Sequence, residues 1–334
     1  MNSKQAVMAF NMPLKDKVLE ALSSDRFSQK FGGMAQSLIV PLIALVIFAG
    51  IWQVGAKQVV TSLGAFPGPS QVAEQFQALV AEHQAEQDKA EKFQARVEKR
   101  AEKAKAKGAS EEKIAKILSR TYTGPPTFFD QILTSLGTVM TGFILGSIIA
   151  IPLGVVIGMN NVLYEAFNPI IQIFKPVSPL AWLPLVTMVV SAVYVSDNPM
   201  FEKSFITSAV TVTLCCLWPT IVNTAVGVSG VNKDLINVSR VLQLNWFTKT
   251  TKVILPSSVP MIFTGLRLSI GIGWMVLIAA EMLAQNPGLG KFVWDEFQNG
   301  SSNSLSRIMV AVLVIGLIGF ALDRIMLMLQ KSFS

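Results

Sequence analysis

The sequence predicts an all-α integral membrane protein with six transmembrane helices, on three observations. The 334-residue chain is 51% hydrophobic and only 15% charged, where soluble domains carry about a quarter charged residues, and its mean hydropathy is +0.50. Six apolar runs approach or exceed the length needed to cross a hydrocarbon core of roughly 30 Å at 1.5 Å per residue. Lys and Arg in the short connections fall unequally on the two sides, as membrane topology demands.

The runs are Leu38 to Val54, Ile132 to Met159, Ile170 to Tyr194, Phe205 to Val226, Pro260 to Leu283 and Ile308 to Leu329. About 35 mixed residues precede the first, which argues against a cleavable signal peptide and for a retained first helix. The second run carries two small-xxx-small pairs, Gly142 with Gly146 and Gly154 with Gly158, read as close helix packing rather than as a dimer face. The third is interrupted by Lys175, Pro176, Pro179 and Pro184. Each proline removes a donor and crowds the preceding turn, so a bent or irregular span is expected there, inside protein or beside a cavity.

With the N-terminus inside, the cytoplasm receives Lys4, Lys15, Lys17, Arg26, Lys30, Lys233, Arg240, Lys249, Lys252 and Lys331. The short loops on the other side hold only Lys203, Lys291 and Arg307. Both termini are therefore expected in the cytoplasm. The resulting organisation is a cytoplasmic segment over 1–35, a first transmembrane helix over 36–59, a periplasmic loop over 60–128, and a five-helix core over 129–334 that carries a cytoplasmic polar loop at 230–257. Within the periplasmic loop, residues 81–120 are rich in Ala, Glu, Lys, Gln and Arg. With Gly108 as a break and Ser110-Glu111-Glu112 as a restart, they read as a charged helical hairpin. Its few apolar anchors are Phe93, Val97, Ile114, Ile117 and Leu118, and it is either a solvated spacer or a docking surface.

Several functions are excluded. There is no G-x-x-x-x-G-K-[ST]; in "QNPGLGK" Gln285 and Phe292 stand where glycine and Ser/Thr are required, so no P-loop ATP site exists. Neither zinc spacing nor G-x-S-x-G occurs, and His83 is the sole histidine, so a membrane hydrolase loses most of its case. Cys215 and Cys216 are adjacent in an apolar run and read as small fillers. The net charge of +7 is explained by cytoplasmic Lys/Arg without nucleic acid. Ionisable residues inside spans are functional candidates because lipid penalises charge. Arg267 lies on the order of 10 Å into the fifth span; it either meets an anionic substrate or snorkels to headgroups. Glu281 stands near the outer end of that span, where it could cap a loop. Asp323 and Arg324 lie near the inner end of the last span and read as interfacial. No chain of Asp, Glu or His crosses the bundle as a proton relay would, so the energy for transport enters from elsewhere.

The polar loop "NVSRVLQLNWFTKTTKVILPSSVP" resembles the cytoplasmic signature loop of ABC-importer permeases, Glu-Ala-Ala, three residues, Gly, nine residues, Ile-x-Leu-Pro. Asn237, Val238 and Ser239 fall on Glu-Ala-Ala, Gln243 on the glycine, and Val253, Leu255 and Pro256 on Ile, Leu and Pro. The front half departs from the pattern and the rear half keeps it. "PVSPLAWLPLVTM", "TGLRLSIGIGWMVLIAAEMLAQNPGLGKFVWDEF" and "IGLIGFALDRIM" look like the nitrate, sulfonate and taurine branch of these permeases, and most like the nitrate type, whose near relatives import bicarbonate or cyanate. The resemblance covers about residues 128–330 and the first span.

It implies a MetI-like permease that dimerises with a second copy of itself in membrane lipid and binds no cofactor, metal or nucleic acid. Two cytoplasmic ATPase subunits would hold ATP and Mg and receive the loop through Asn237, Ser239, Arg240, Leu244, Trp246, Phe247, Val253, Leu255 and Pro256. A periplasmic or lipid-anchored binding protein would deliver the anion. Trp246 and Phe247 are the expected anchors, with resting on lipid headgroups as their alternative. Pro256 is expected to end the docking helix and Pro260 to begin the fifth span. The candidate translocation path is Lys175, Ser178, Trp182, Thr187, Arg267, Trp274 and Glu281. Two readings of other classes, a stand-alone carrier or channel and a scaffold built around the hairpin, are distinguished by reconstitution and by hairpin deletion.

Overall fold

The computed structural model describes residues 25–61, 64–195 and 200–333, in two compact units that meet between Gln71 and Val72. In the first, α1 (Asp25–Ala56) contains the apolar stretch Ile39–Ala56. It is followed by a two-stranded ribbon, β1 (Val60–Thr61) and β2 (Gly64–Ala65), paired antiparallel with Val60 opposite Ala65. Trp52 Nε1 donates to the Pro67 carbonyl at 3.1 Å. Of the segment expected over 1–35, residues 1–24 lie outside the described residues, with Lys4, Lys15 and Lys17; from Asp25 the chain is helical.

The second unit begins within α2 (Pro69–Ala106), whose start is set by proline in the first turn, well before residue 81. Its end is a Schellman turn. Gly108 takes φ +72° and the Ala109 amide reaches back to the Ala104 carbonyl at 3.0 Å. Helix α3 (Glu111–Leu118) restarts where expected, but the Ser110 hydroxyl makes no cap bond, so Glu111 and Glu112 alone complement its first turn. Of the anchors, Val97 is buried, Phe93, Ile114 and Ile117 are half-buried, and Leu118 is exposed.

The core follows as α4 (Phe128–Met159), α5 (Asn161–Phe174), α6 (Pro179–Val193), α7 (Lys203–Ser229), α8 (Lys233–Val241), α9 (Trp246–Lys249), a π-helical segment (Thr250–Ile254), α10 (Leu255–Ala284), α11 (Leu289–Asn299) and α12 (Ser304–Phe333). Helix α7 is central and packs on α4 and on α10. The glycines of α4 explain how closely it approaches. A Cβ at Gly142 would stand 2.7 Å from the Ala209 carbonyl and from Val212, at Gly154 2.6 Å from Thr224, and at Gly158 2.6 Å from the Ala225 carbonyl. These positions therefore serve packing within one chain. Cys215 and Cys216 are buried fillers of α7.

Among the described residues, five helices are long and apolar enough to cross a membrane, and a sixth span results if α5 and α6 count as one broken span. That pair is the third apolar run, bent by 96° across Lys175 to Ser178, where Pro176 and Pro179 forbid a continuous helix. The boundary expected at Pro256 is a correction. The helical path runs unbroken from Trp246 to Ala284, with Pro256 in the first turn of α10 and Pro260 inside it. The π segment makes this possible. The Leu255 amide bonds five residues back, to Thr250, so the wide turn takes up the carbonyls that the Pro256 ring would crowd in a regular helix.

Candidate functional site

Two ends of the core carry the polar features. At one end, α4 and α7 finish beside α8, α9 and the π segment. Val155, Val228, Val231 and Ile254 form a buried cluster there, with Ile151, Met159, Ile236 and Leu255 against it. Thr250 Oγ1 meets Met159 Sδ at 3.6 Å. The polar loop is thus keyed into the membrane helices through its π segment.

The loop is built from short-range signals. Asn232 caps α8, its side chain accepting the Asp234 amide at 2.8 Å, and Asn245 caps α9, accepting the Thr248 amide at 2.7 Å. Between them Gln243 stands in the left-handed region at φ +51°, and the Leu244 amide closes a six-residue loop onto the Ser239 carbonyl at 3.0 Å. The position that the signature gives to glycine keeps the glycine conformation although glutamine occupies it. That costs an L-residue about 1–2 kcal/mol.

Ser239 is buried and its hydroxyl donates to the Ile236 carbonyl at 2.6 Å. Leu244, Val253 and Leu255 are half-buried, and Pro256 is exposed. Trp246 and Phe247 are 60% and 68% exposed, alongside exposed Val238, Val241 and Leu242. A groove of about 360 Å³ at this end of the core is lined by Asn161, Lys233, Asn237, Arg240 and Lys249, among others. Among the described residues none of these three cations has an ion-pair partner.

The candidate path residues divide into two groups. On the α5–α6 elbow, Lys175, Ser178 and Thr187 are exposed and Trp182 is half-buried. Ser178 caps α6, the Thr187 hydroxyl donates to the Leu183 carbonyl at 2.8 Å, and the Trp182 ring lies 5.8 Å from Phe174. The others are on α10 and already partnered. Arg267 makes a bidentate pair with Asp323 of α12, Nε to Oδ1 at 2.5 Å and Nη2 to Oδ2 at 2.9 Å. Asp323 is therefore a helix-to-helix partner and not a free interfacial carboxylate. Trp274 is buried and donates Nε1–H to the Ile315 carbonyl at 3.0 Å.

Glu281 lies at the opposite end of the core and is 0% exposed. Its carboxylate accepts the Ser135 hydroxyl of α4 at 2.8 and 2.9 Å and the Gly290 amide, in the first turn of α11, at 2.9 Å. Ser135 Oγ in turn accepts the Leu289 amide at 2.9 Å. Two glycines make room: a Cβ at Gly288 would fall 2.2 Å from the Glu281 carboxyl, and at Gly290 2.8 Å from the Glu281 Cβ. Gly288 also takes φ +145°. The carboxylate thus serves as the cap of α11 and latches it to α10 and α4. Beside this latch Arg307 of α12 pairs with Glu296 of α11 at 2.5 Å and bidentately with Glu82 of α2 at 2.6 and 3.0 Å.

Sequence reasoning reached Glu281 and Arg267 but missed Ser135 and Glu82, distant in sequence from the groups they serve, and also the nearer Glu296 and Gly288. The one available signal was the Gly-Leu-Gly spacing seven residues beyond the glutamate.

Residues 150–334, more than half of the chain, match the family described as the binding-protein-dependent transport system inner membrane component. The chain is 37% identical over 210 residues to the nitrate import permease protein NrtB of Leptolyngbya laminosa, across 62% of this chain and 70% of that protein. It is 37% identical over 195 residues to the protein of the same name from Synechococcus elongatus, across 58% and 66%. The bicarbonate transport system permease protein CmpB of Synechocystis is 39% identical over 204 residues, across 61% and 68%. These alignments span about two thirds of each relative's length. Among solved structures, the MetNI methionine ABC transporter in inward facing conformations shares the fold, with a TM-score of 0.51 at 17% identity over 62% of this chain and 95% of that one. With its helices, its polar loop and this match in agreement, the chain belongs to the family of binding-protein-dependent transport system inner membrane components.

Proposed function

We propose that the chain is the transmembrane subunit of an ATP-driven importer for a small oxyanion, nitrate first, acting by alternating access as a dimer of identical copies. The observation that carries this is the exposed Trp246–Phe247 pair on a loop continuous with α10. Exposed aromatics beside uncompensated cations suit insertion into a groove of a partner. The unbroken path from Trp246 to Ala284 lets a displacement of the loop reach Arg267, Trp274 and Glu281 on one rigid element. Two ATPase subunits, holding ATP and Mg, sit on the cytoplasmic side with both termini; the chain itself is non-catalytic.

Nitrate follows from the identity with nitrate import permeases. Bicarbonate is the second reading, supported by the equally high identity to CmpB, and cyanate and small sulfonates share the same size and charge. Lys175, Ser178, Trp182 and Thr187 line the path from the α5–α6 elbow, which faces the second copy. Arg267 contributes the N–H donors that its pair with Asp323 leaves free. A binding protein supplies the anion from the periplasmic side, where α11 and the α2–α3 hairpin lie.

The test is reconstitution in liposomes. The chain with its ATPase subunits and binding protein takes up nitrate only with ATP, and excess bicarbonate leaves that uptake intact. Uptake by the chain alone would instead make it a stand-alone carrier, and competition by bicarbonate would move the substrate.

A further inference from the structure

The α2–α3 hairpin lies before the residues that match the family, and its base and tip differ in character. The base is fixed to the core. Glu82 is held by Arg307, His83 Nδ1 and Thr127 Oγ1 lie 2.7 Å apart, and the Tyr122 hydroxyl donates to Glu86. Rings add to this: His83 and Phe129 lie 5.1 Å apart, and Phe93 and Tyr122 5.6 Å. These polar and ring contacts cover residues 82–93, beyond which only the apolar side of α2, at Val97 and Ala101, is buried.

Beyond them Arg96, Lys99, Arg100, Lys103 and Lys107 are all exposed, and among the described residues none is in an ion pair. The first four recur at i, i+3, i+4 and i+7, which puts them on one face of α2 over about 10 Å, and Lys107 follows in the turn just past the end of the helix. Glu98 falls on the far side, and Glu102, although three residues from Lys99, makes no ion pair with it among the described residues. Cations at i, i+4 such as Arg96 with Arg100, and Lys99 with Lys103, repel and destabilise an isolated helix. A helix that keeps this arrangement with no ion pair to neutralise it presents it to something anionic.

We infer that this stripe is a docking surface for an acidic face of the soluble binding protein that delivers substrate. The inference rests on the importer reading above, which places the hairpin on the side such a protein visits. A lipid surface fits less well. A helix lying on headgroups needs an apolar face to insert, and here Val97 and Ala101 are already buried. The locked base gives the stripe a fixed position, so docking would orient the partner over the end of the core where the Glu281 latch holds α11.

The test uses the full complex in nanodiscs, with ATPase activity followed against the concentration of nitrate-loaded binding protein. One variant replaces Arg96, Lys99, Arg100, Lys103 and Lys107 with Gln, which keeps helix propensity; a second replaces the three lysines with Arg. The Gln variant is expected to raise the half-saturating concentration at least about tenfold at an unchanged maximal rate. The Arg variant stays at the wild-type value. Raising salt, which shortens the Debye length from about 10 Å at 0.1 M to about 3 Å at 1 M, brings wild type toward the Gln variant. Coincident wild-type and Gln curves overturn the docking role. So does a shift seen only in nanodiscs containing phosphatidylglycerol, which assigns the stripe to lipid, and an equal shift in the Arg variant, which makes it structural. If the wild-type complex is not stimulated by binding protein at all, the importer reading fails first and the docking with it.

Discussion

Replacing Glu281 by Leu removes the one acceptor that the Gly290 amide, in the first turn of α11, has among the described residues, together with the acceptor of the Ser135 hydroxyl. The two Ser135 contacts come from a single hydroxyl shared between both carboxylate oxygens, so two donors are orphaned, not three. At about 1–3 kcal/mol for each buried donor left unpaired, the cost is about 2–6 kcal/mol. Most of it falls locally, on the junction of α10 and α11. At about 1.4 kcal/mol per tenfold, even the lower bound opens that junction roughly 30-fold more often. Hydrogen–deuterium exchange of peptides covering 285–292, in purified protein, reads this directly. Glu281→Gln keeps one acceptor and should fall between wild type and Leu. Protection within threefold of wild type in the Leu variant would refute the latch and make the two glycines unexplained.

Two further predictions follow from single observations. Gln243→Gly relieves a left-handed glutamine at the end of α8; after the flexibility that glycine adds to the unfolded chain, it should stabilise the loop by roughly 0.5–1 kcal/mol, measured as a higher unfolding midpoint. At the hairpin base, the hydrogen bond from Tyr122, and then that from Lys89, holds the Glu86 carboxyl below its ordinary value of 4.5. The lowered value means that this contribution is complete above pH 4.5 and is lost as pH falls through the folded-state value. Exchange protection of residues 82–93 should therefore drop on acidification below 4.5, and less so in Tyr122→Phe.

Much of the fold was legible because membrane helices announce themselves by length and hydropathy, and glycine spacing named the face of α4 that meets α7. The kink between α5 and α6 was legible for a local reason, three prolines within nine residues. The continuity through Pro256 was not, because proline in a helical path reads as a stop unless the wider π turn before it is known. At the site, the signature loop placed Trp246 and Phe247 without placing their surroundings. Gln243 shows the limit: the pattern reserves that position for glycine, and only the backbone shows that the turn survives its replacement. Ion pairs such as Arg267 with Asp323, and Arg307 with Glu82, join helices far apart in the chain, and no single sequence carries a signal for them. Glu281 was found for its place in a span, yet its role came from two glycines and a serine.

The most direct test of the central claim, that this chain is driven from outside itself through the polar loop, is ATP-dependent nitrate uptake by the reconstituted complex carrying Trp246→Ala and Phe247→Ala. Each ring is about two thirds exposed, leaving on the order of 100–150 Å² to bury, which corresponds to about 3 kcal/mol per ring at 25 cal/mol per Å². With both removed, uptake per ATP hydrolysed should fall at least tenfold while the permease still assembles as a dimer in the membrane. Uptake and coupling equal to wild type would contradict the account, and would leave these aromatics as residues resting on the lipid surface.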